Sequence, residues 1–234
     1  MFHRSISRSR FGLVSAAVVA LLVLSAGSVA ADTTPGGDGT FTQNGTSGEA
    51  YSGGCTPNGD DTTTCWDAGL SVFVGKMSDS FSGVSHGSQV CANSSTYTFD
   101  DVTGDVVGEP TYESGCQVDL PNGTLTVGKN LTSIALRATT ISIEQYTCDD
   151  EGTCEEGSSR NVTVAGTWTG VGPTYSSKSR SSSDDGTCRY NDSGRGSSRE
   201  ASFVGSLGGL SIGTDGYASL SNGKFSFRSR CSEI

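Results

Sequence analysis

The sequence predicts an all-β fold, a single antiparallel β-sandwich or jelly-roll-like domain stapled by disulfides. Three observations predict it. Apolar residues recur at every second position, turn residues separate these runs at hairpin spacing, and eight cysteines are spread through a chain that shows no sustained helical period. Together they indicate roughly ten to twelve short strands.

The alternation is clearest between residues 162 and 169. Val162, Val164 and Trp168 fall on one face of an extended chain and threonines fall on the other, as in a strand with one buried face. We therefore expect Trp168 in the core, and Trp66 as well. Similar runs occur at Leu70, Val72 and Val74, at Ile141 and Ile143, and at Phe225 and Phe227.

Turn signals separate these runs. Asn-Gly favours tight hairpins because both residues tolerate positive φ. Asn122-Gly123 therefore predicts a hairpin between residues 118–120 and 125–127, and Asn222-Gly223 predicts one between Leu220 and Phe225. Residues 128–130 (Gly-Lys-Asn) indicate a further break.

The N-terminus has the three parts of a secretory signal. Arg4, Arg8 and Arg10 precede an apolar run at 11–26, and small residues lead to Ala31. The run is shorter than the roughly 20 residues that span a bilayer, so we expect cleavage rather than a retained anchor. We expect a signal peptide at 1–31, a flexible leader at 32–39 and a single disulfide-bonded β domain at 40–234, with two stacked halves (40–115 and 116–234) as the alternative. The predicted location is secreted, with no membrane insertion after cleavage.

All eight cysteines follow the signal, and an even number in an exported chain predicts four disulfides. A zinc site is not favoured, since there is no C-x-x-C and only one histidine follows the signal. Pairing neighbours closes local loops. The predicted bonds are Cys55–Cys65, Cys91–Cys116, Cys148–Cys154 and Cys188–Cys231, of which Cys148–Cys154 closes a hairpin tip.

Residues 176–199 are rich in Ser, Arg and Gly and nearly lack apolar side chains. They predict either two edge strands, at 175–183 and 187–192, or a disordered basic loop. Cys188 favours the ordered alternative, because a disulfide would tether the segment.

The chain is acidic, with a formal net charge of −10 that becomes −13 when the three signal arginines are removed. Its negative groups are scattered. This balance argues against nucleic acid or an anionic membrane as partner, because both need a positive face. A carbohydrate or a protein remains as the ligand class, and no cofactor is expected.

Candidate catalytic residues are few. His86 lies in a Gly/Ser loop without a G-x-S-x-G motif, and Glu144 has no acidic partner two residues away on its strand. Glu109 and Glu113 straddle Pro110. No catalytic or cofactor-binding residue is therefore assigned.

Acidic pairs such as Asp60-Asp61 and Asp100-Asp101 lie in loop-like segments without a calcium-loop pattern, so the metal question stays open. The sequence also holds N-x-S/T acceptors for glycosylation at Asn44, Asn93, Asn122, Asn130, Asn161 and Asn191. The leading interpretation is a non-catalytic, exported binding or structural module. The alternative is an extracellular hydrolase acting on carbohydrate or peptide.

Overall fold

The structure is a computed structural model that describes residues 38–81, 83–148, 154–208, 210–212 and 216–231. The expected signal peptide, most of the expected leader and the tip at 149–153 lie outside the described residues. Gly39, the last residue of the expected leader, begins the first strand.

The described residues form eleven antiparallel strands and one 3-10 turn at Lys129–Leu131. The strands are β1 Gly39–Pro57, β2 Thr62–Asp79, β3 Val84–His86, β4 Gln89–Asp100, β5 Val106–Gln117, β6 Leu125–Val127, β7 Ser133–Cys148, β8 Cys154–Asp184, β9 Cys188–Leu207, β10 Leu210–Ile212 and β11 Tyr217–Cys231. The predicted all-β, antiparallel class is confirmed. Within the part of the chain described, no helix has the length and apolar character needed to cross a membrane.

The sheet closes on itself. The strand order is β1-β11-β9-β8-β7-β5-β4-β2, and β1 pairs with β2 as well as with β11. The short strands β3, β6 and β10 add to β2, β7 and β9. Long strands that follow one another along the chain are neighbours in this ring. The two layers expected of a sandwich are therefore opposite walls of one closed sheet. Among the described strands, each long strand connects to a neighbour in the ring, so the Greek-key connection of a jelly roll is not used.

The core fills the closed part of the sheet. Trp168 is fully buried, and its ring centroid lies 4.5 Å from that of Phe203. A Cβ on Gly48 would lie 3.1 Å from the Trp168 ring, so glycine on the opposite wall leaves room for the indole. The prediction of a core Trp168 is confirmed, and Trp66 is partly buried against the same cluster.

The closed sheet opens at one end. β7 accompanies β8 only as far as the pair Ser133 and Thr169, and β4 accompanies β2 only as far as Gln89 and Phe73. Beyond these levels five strands continue as an open sheet. We call it the open extension, and it comprises residues 39–47 of β1, 73–79 of β2, 174–184 of β8, 188–199 of β9 and 221–231 of β11.

A bulge in β8 marks the start of the open extension. The ladder to β9 is interrupted between Gly170 and Thr174, where β8 has two more residues than its partner. Gly172 takes a φ of 67° in the bulge. The Nε of Arg199 donates to the Gly172 carbonyl oxygen at 3.0 Å and fixes this shape.

Three disulfides join neighbouring strands, and they match three of the predicted pairs. They are Cys55–Cys65, Cys91–Cys116 and Cys188–Cys231. Cys154 is also disulfide-bonded, and Cys148 is its partner in the β7–β8 ladder, so the predicted hairpin is present. None of the described cysteines is free.

The basic segment at 176–199 is ordered, as the first alternative predicted. It forms the ends of β8 and β9, and the Asp185 carboxylate caps their turn by accepting the N–H groups of Thr187 and Cys188 at 2.9 and 2.6 Å. Of these two strands, only β8 lies at an edge of the sheet. β9 pairs with both β8 and β11, so the prediction of two edge strands is wrong for β9.

Both Asn-Gly hairpin predictions are wrong. A turn forms at Asn122-Gly123, where the Thr124 N–H reaches the Pro121 carbonyl oxygen at 3.1 Å, but β6 then pairs with β7 instead of residues 118–120. Asn222-Gly223 lies in the middle of β11, which continues straight through it. Pairing on both sides of β11 overrides the local turn preference.

A row of glycines crosses the open extension. Gly75, Gly45, Gly223 and Gly196 lie opposite one another on four adjacent strands. A Cβ on Gly45 would lie only 2.4 Å from the carbonyl oxygen of the neighbouring strand and 2.7 Å from the Phe73 ring. Glycine is therefore required where these strands approach so closely.

Replacing Gly45 with alanine should lower the free energy of unfolding by about 1–3 kcal/mol, the usual cost of overpacking. The matched control is Gly157→Ala, whose Cβ would lie 3.2 Å from the Gln145 carbonyl oxygen, a tight contact that a shift of a few tenths of an ångström relieves, so a smaller loss is expected. Urea unfolding of both variants measures the difference. Equal losses would show that the glycine row has no special packing role.

Candidate functional site: a cationic face

The strand register gathers most of the basic side chains on one face of the open extension. Residues directly opposite each other in an antiparallel pair project to the same face. Of the 15 Lys and Arg residues, three lie in residues 1–37, and nine of the other twelve share this face. They are Lys76 on β2, Lys178 and Arg180 on β8, Arg189, Arg195 and Arg199 on β9, and Lys224, Arg228 and Arg230 on β11. We call this set the cationic face.

The cationic face continues the inner lining of the closed sheet. Leu220 is fully buried there and lies opposite Gly48 and Arg199 on its two neighbouring strands. One row further out, the Asn222 amide donates to the Thr46 hydroxyl at 2.8 Å. The lining therefore changes from apolar to hydroxyl and amide groups, and then to cations, as the sheet opens.

A central row crosses all five strands of the extension. It runs Lys76, Asn44, Lys224, Arg195, Lys178, each opposite the next. Adjacent strands lie about 4.8 Å apart, so this central row spans about 19 Å. Four of its five positions are basic.

The fold places like charges directly opposite one another. Arg195 lies between Lys224 and Lys178, and Arg189 faces Arg230. Such cross-strand pairs are destabilising by some tenths of a kcal/mol each. A surface that keeps this repulsion is suited to a partner of opposite charge.

Among the described residues, no acid forms an ion pair with these cations. The two ion pairs formed among the described residues, His86–Asp119 and Arg160–Glu113, lie elsewhere. Asp184 is the one acid at the register positions of the cationic face. Eight of the nine cations are exposed, and Arg199 is half-buried at the bulge.

The reverse face supplies the packing that holds the extension together. Phe41 and Phe225 have ring centroids 6.2 Å apart, and Phe227 stacks on Tyr190 at 6.2 Å and lies 6.2 Å from Phe81. The aromatic contacts of the extension are therefore on the face opposite the cations.

A depression of about 270 Å³ adjoins the far end of the cationic face. Arg189 and Arg230 line it together with Asp184 and the Cys188–Cys231 pair. It extends the basic surface towards the β8–β9 turn.

His86 does not form a catalytic triad in the described part of the chain. Its Nδ1 lies 3.7 Å from a carboxylate oxygen of Asp119, whose other oxygen accepts the Gly87 N–H at 2.7 Å. No hydrogen bond joins His86 to a serine hydroxyl there. Among the described residues, His86 and Asp119 therefore lack the hydrogen-bonded nucleophile that a triad needs.

The candidate carboxylates are not brought together. Glu144 accepts a hydrogen bond from Tyr146 at 2.6 Å, whereas Glu113 binds Arg160 at 2.9 and 2.8 Å. Glu144 lies opposite Ser114, the residue after Glu113, so the two acids project from opposite faces of the sheet. A groove of about 250 Å³ on the reverse face has no Asp or Glu in its lining. Glu113 and Glu144 are therefore not an opposed pair of the kind that a glycosidase uses.

Hydrogen bonds from Arg160 are the main reason that the pKa of Glu113 lies below its usual value. The Arg160→Met variant should bring this pKa back up. A lowered carboxyl pKa stabilises the fold above the usual carboxyl range, and this contribution is lost as pH falls through the lowered pKa. Carboxyl NMR titration measures the change, with Arg137→Met as control. An unchanged Glu113 pKa in the Arg160 variant would contradict this account.

Acidic loops lie at the opposite end of the molecule. The Asp101 N–H donates to the Asp61 carbonyl oxygen at 2.8 Å and links two of them. Hydrogen bonds from the Thr103 and Val102 N–H groups lower the pKa of Asp100. Among the residues described, no group of three His, Cys, Asp or Glu side chains is arranged to hold a metal ion. These acidic loops therefore lie at the end of the molecule away from the cationic face.

Comparison of the chain with protein-family models, curated proteins and solved structures finds no match.

Proposed function

We propose that the protein is an exported, non-catalytic binding module that holds anionic ligands on its cationic face. The observation that carries the proposal is eight exposed cations on one face without a carboxylate within ion-pair distance in the described structure. Export is supported by the signal-like N-terminus and by disulfides, which persist in oxidising compartments.

The cationic face is built on paired strands and not on flexible loops, which favours ligand binding. Its side chains project from paired strands, so their backbone positions are fixed before a ligand arrives. This lowers the ordering cost of association. An anionic ligand would also relieve the cross-strand repulsion, which adds to the gain on binding.

Calorimetric titration with dextran sulfate, and with neutral dextran as control, tests the proposal. We expect binding of the sulfated polymer alone, weakening steeply as salt rises, because exposed charges are screened. Unglycosylated protein should be used, since the acceptor sites Asn44 and Asn191 lie on this face. Equal binding of neutral dextran, or no loss with salt, would contradict the proposal.

A further inference from the structure

Building on the proposed function, we infer that the ligand is an acidic polysaccharide lying across the strands along the central row. Charge alone would also suit a nucleic acid or an anionic membrane. The remaining side chains of the cationic face distinguish between these classes.

The cationic face carries no aromatic side chain at its described register positions. Its neutral members are Thr, Ser and Asn, apart from Val74. Proteins that bind single-stranded nucleic acid stack bases on aromatic rings, which contribute about 1–3 kcal/mol per base. Interfacial membrane binding needs apolar groups that enter the lipid. The aromatic rings of the extension lie on the reverse face instead.

Rows of hydrogen-bonding groups flank the central row on both sides. The row towards the core runs Val74, Thr46, Asn222, Ser197 and Ser176, and the outer row runs Ser78, Thr42, Ser226, Ser193 and Arg180. Residues two apart on a strand are about 6.8 Å apart. A chain along the central row would therefore have hydroxyl and amide groups on each side, and these suit the many hydroxyls of a sugar.

The central row also matches an extended, repeatedly charged chain. Its span of about 19 Å is too long for a single small anion to reach across. Arg195 can bind a carboxylate or sulfate through two parallel hydrogen bonds, while the lysines act as point charges. Affinity should thus rise with chain length until the row is covered.

The test compares oligogalacturonates of increasing length with oligo-dT of equal charge at one ionic strength. We expect the oligogalacturonates to bind more tightly, and their affinity to level off once the chain covers the central row. A parallel titration with a sulfated oligosaccharide shows whether sulfate can replace carboxylate. Binding of either acidic sugar supports the inference.

A paired variant, Thr42→Val with Ser226→Ala, removes two neighbouring hydroxyls and leaves every charge. It should weaken sugar binding by about fivefold, as expected for lost hydrogen bonds, without changing oligo-dT binding. Circular dichroism checks that the variant is folded, and single substitutions replace it if it is not.

Three outcomes would overturn the inference. Oligo-dT binding as tight as sugar binding would assign the face to nucleic acid and leave the proposed function standing. Self-association of the protein that weakens as salt rises, measured by sedimentation, would show that the cationic face binds the acidic end of a second copy. If neither acidic polymer binds, the proposed function fails as well.

Discussion

Replacing Arg195 with glutamate should weaken binding of acidic polymers by about tenfold and at the same time stabilise the fold. Arg195 lies in the central row between two other cations, so reversing its charge turns an attraction for the ligand into a repulsion worth about 1–2 kcal/mol. The new carboxylate would face Lys224 and Lys178 on its two sides. Opposite charges across strands contribute roughly 0.2–1 kcal/mol each, so the unfolding midpoint should rise.

The matched control is Arg137→Glu. Arg137 is exposed, lies on β7 away from the cationic face, and changes the net charge by the same amount. We expect little loss of binding and no gain in stability from it. Calorimetric titration and thermal melts measure both quantities. Equal effects on binding in the two variants would show that net charge matters and the cationic face does not.

Removing the Cys188–Cys231 disulfide should have the largest effect on stability. The two cysteines are 43 residues apart in sequence. In the loop-entropy model, opening a loop of this length costs about 4 kcal/mol of folding stability. The bond joins β9 to β11 within the open extension, so the variant with both cysteines replaced by serine should also bind acidic polymers less well.

The Cys55–Cys65 pair is the control, because its partners are only 10 residues apart. Its removal should cost about 3 kcal/mol and leave polymer binding unchanged, since it joins the far ends of β1 and β2. The predicted Cys148–Cys154 bond closes a still shorter loop and should contribute least. Urea unfolding ranks the variants. A smaller loss for Cys188–Cys231 than for Cys55–Cys65 would contradict the ranking.

Local features of the fold were predictable from the sequence. The alternation at Val162, Val164 and Trp168 reports a buried strand face because the side-chain period of a strand depends on the backbone alone. The cysteine pairs on neighbouring long strands were predictable because a strand-loop-strand unit brings its two sides within bridging distance. Asn222-Gly223 shows the limit, since its turn preference loses to pairing with strands far away in sequence.

The cationic face was not predictable, because it depends on register between distant segments. Lys76 and Lys224 lie in the same row only because β1 pairs with both β2 and β11. A net charge averages over the whole chain and hides the clustering of the cations on one face. An acidic chain therefore presents a positive face here despite its net charge. The available signal was the spacing of Lys178 and Arg180, and of Arg228 and Arg230, at every second position.

Side-chain NMR of the arginine and lysine groups during titration with an oligogalacturonate tests the central claim most directly. We predict shift changes at Arg195, Lys224 and Lys178, and none at Arg137. Changes that are largest on the reverse face or at the acidic end would contradict the account, as would a titration that leaves the central row unchanged.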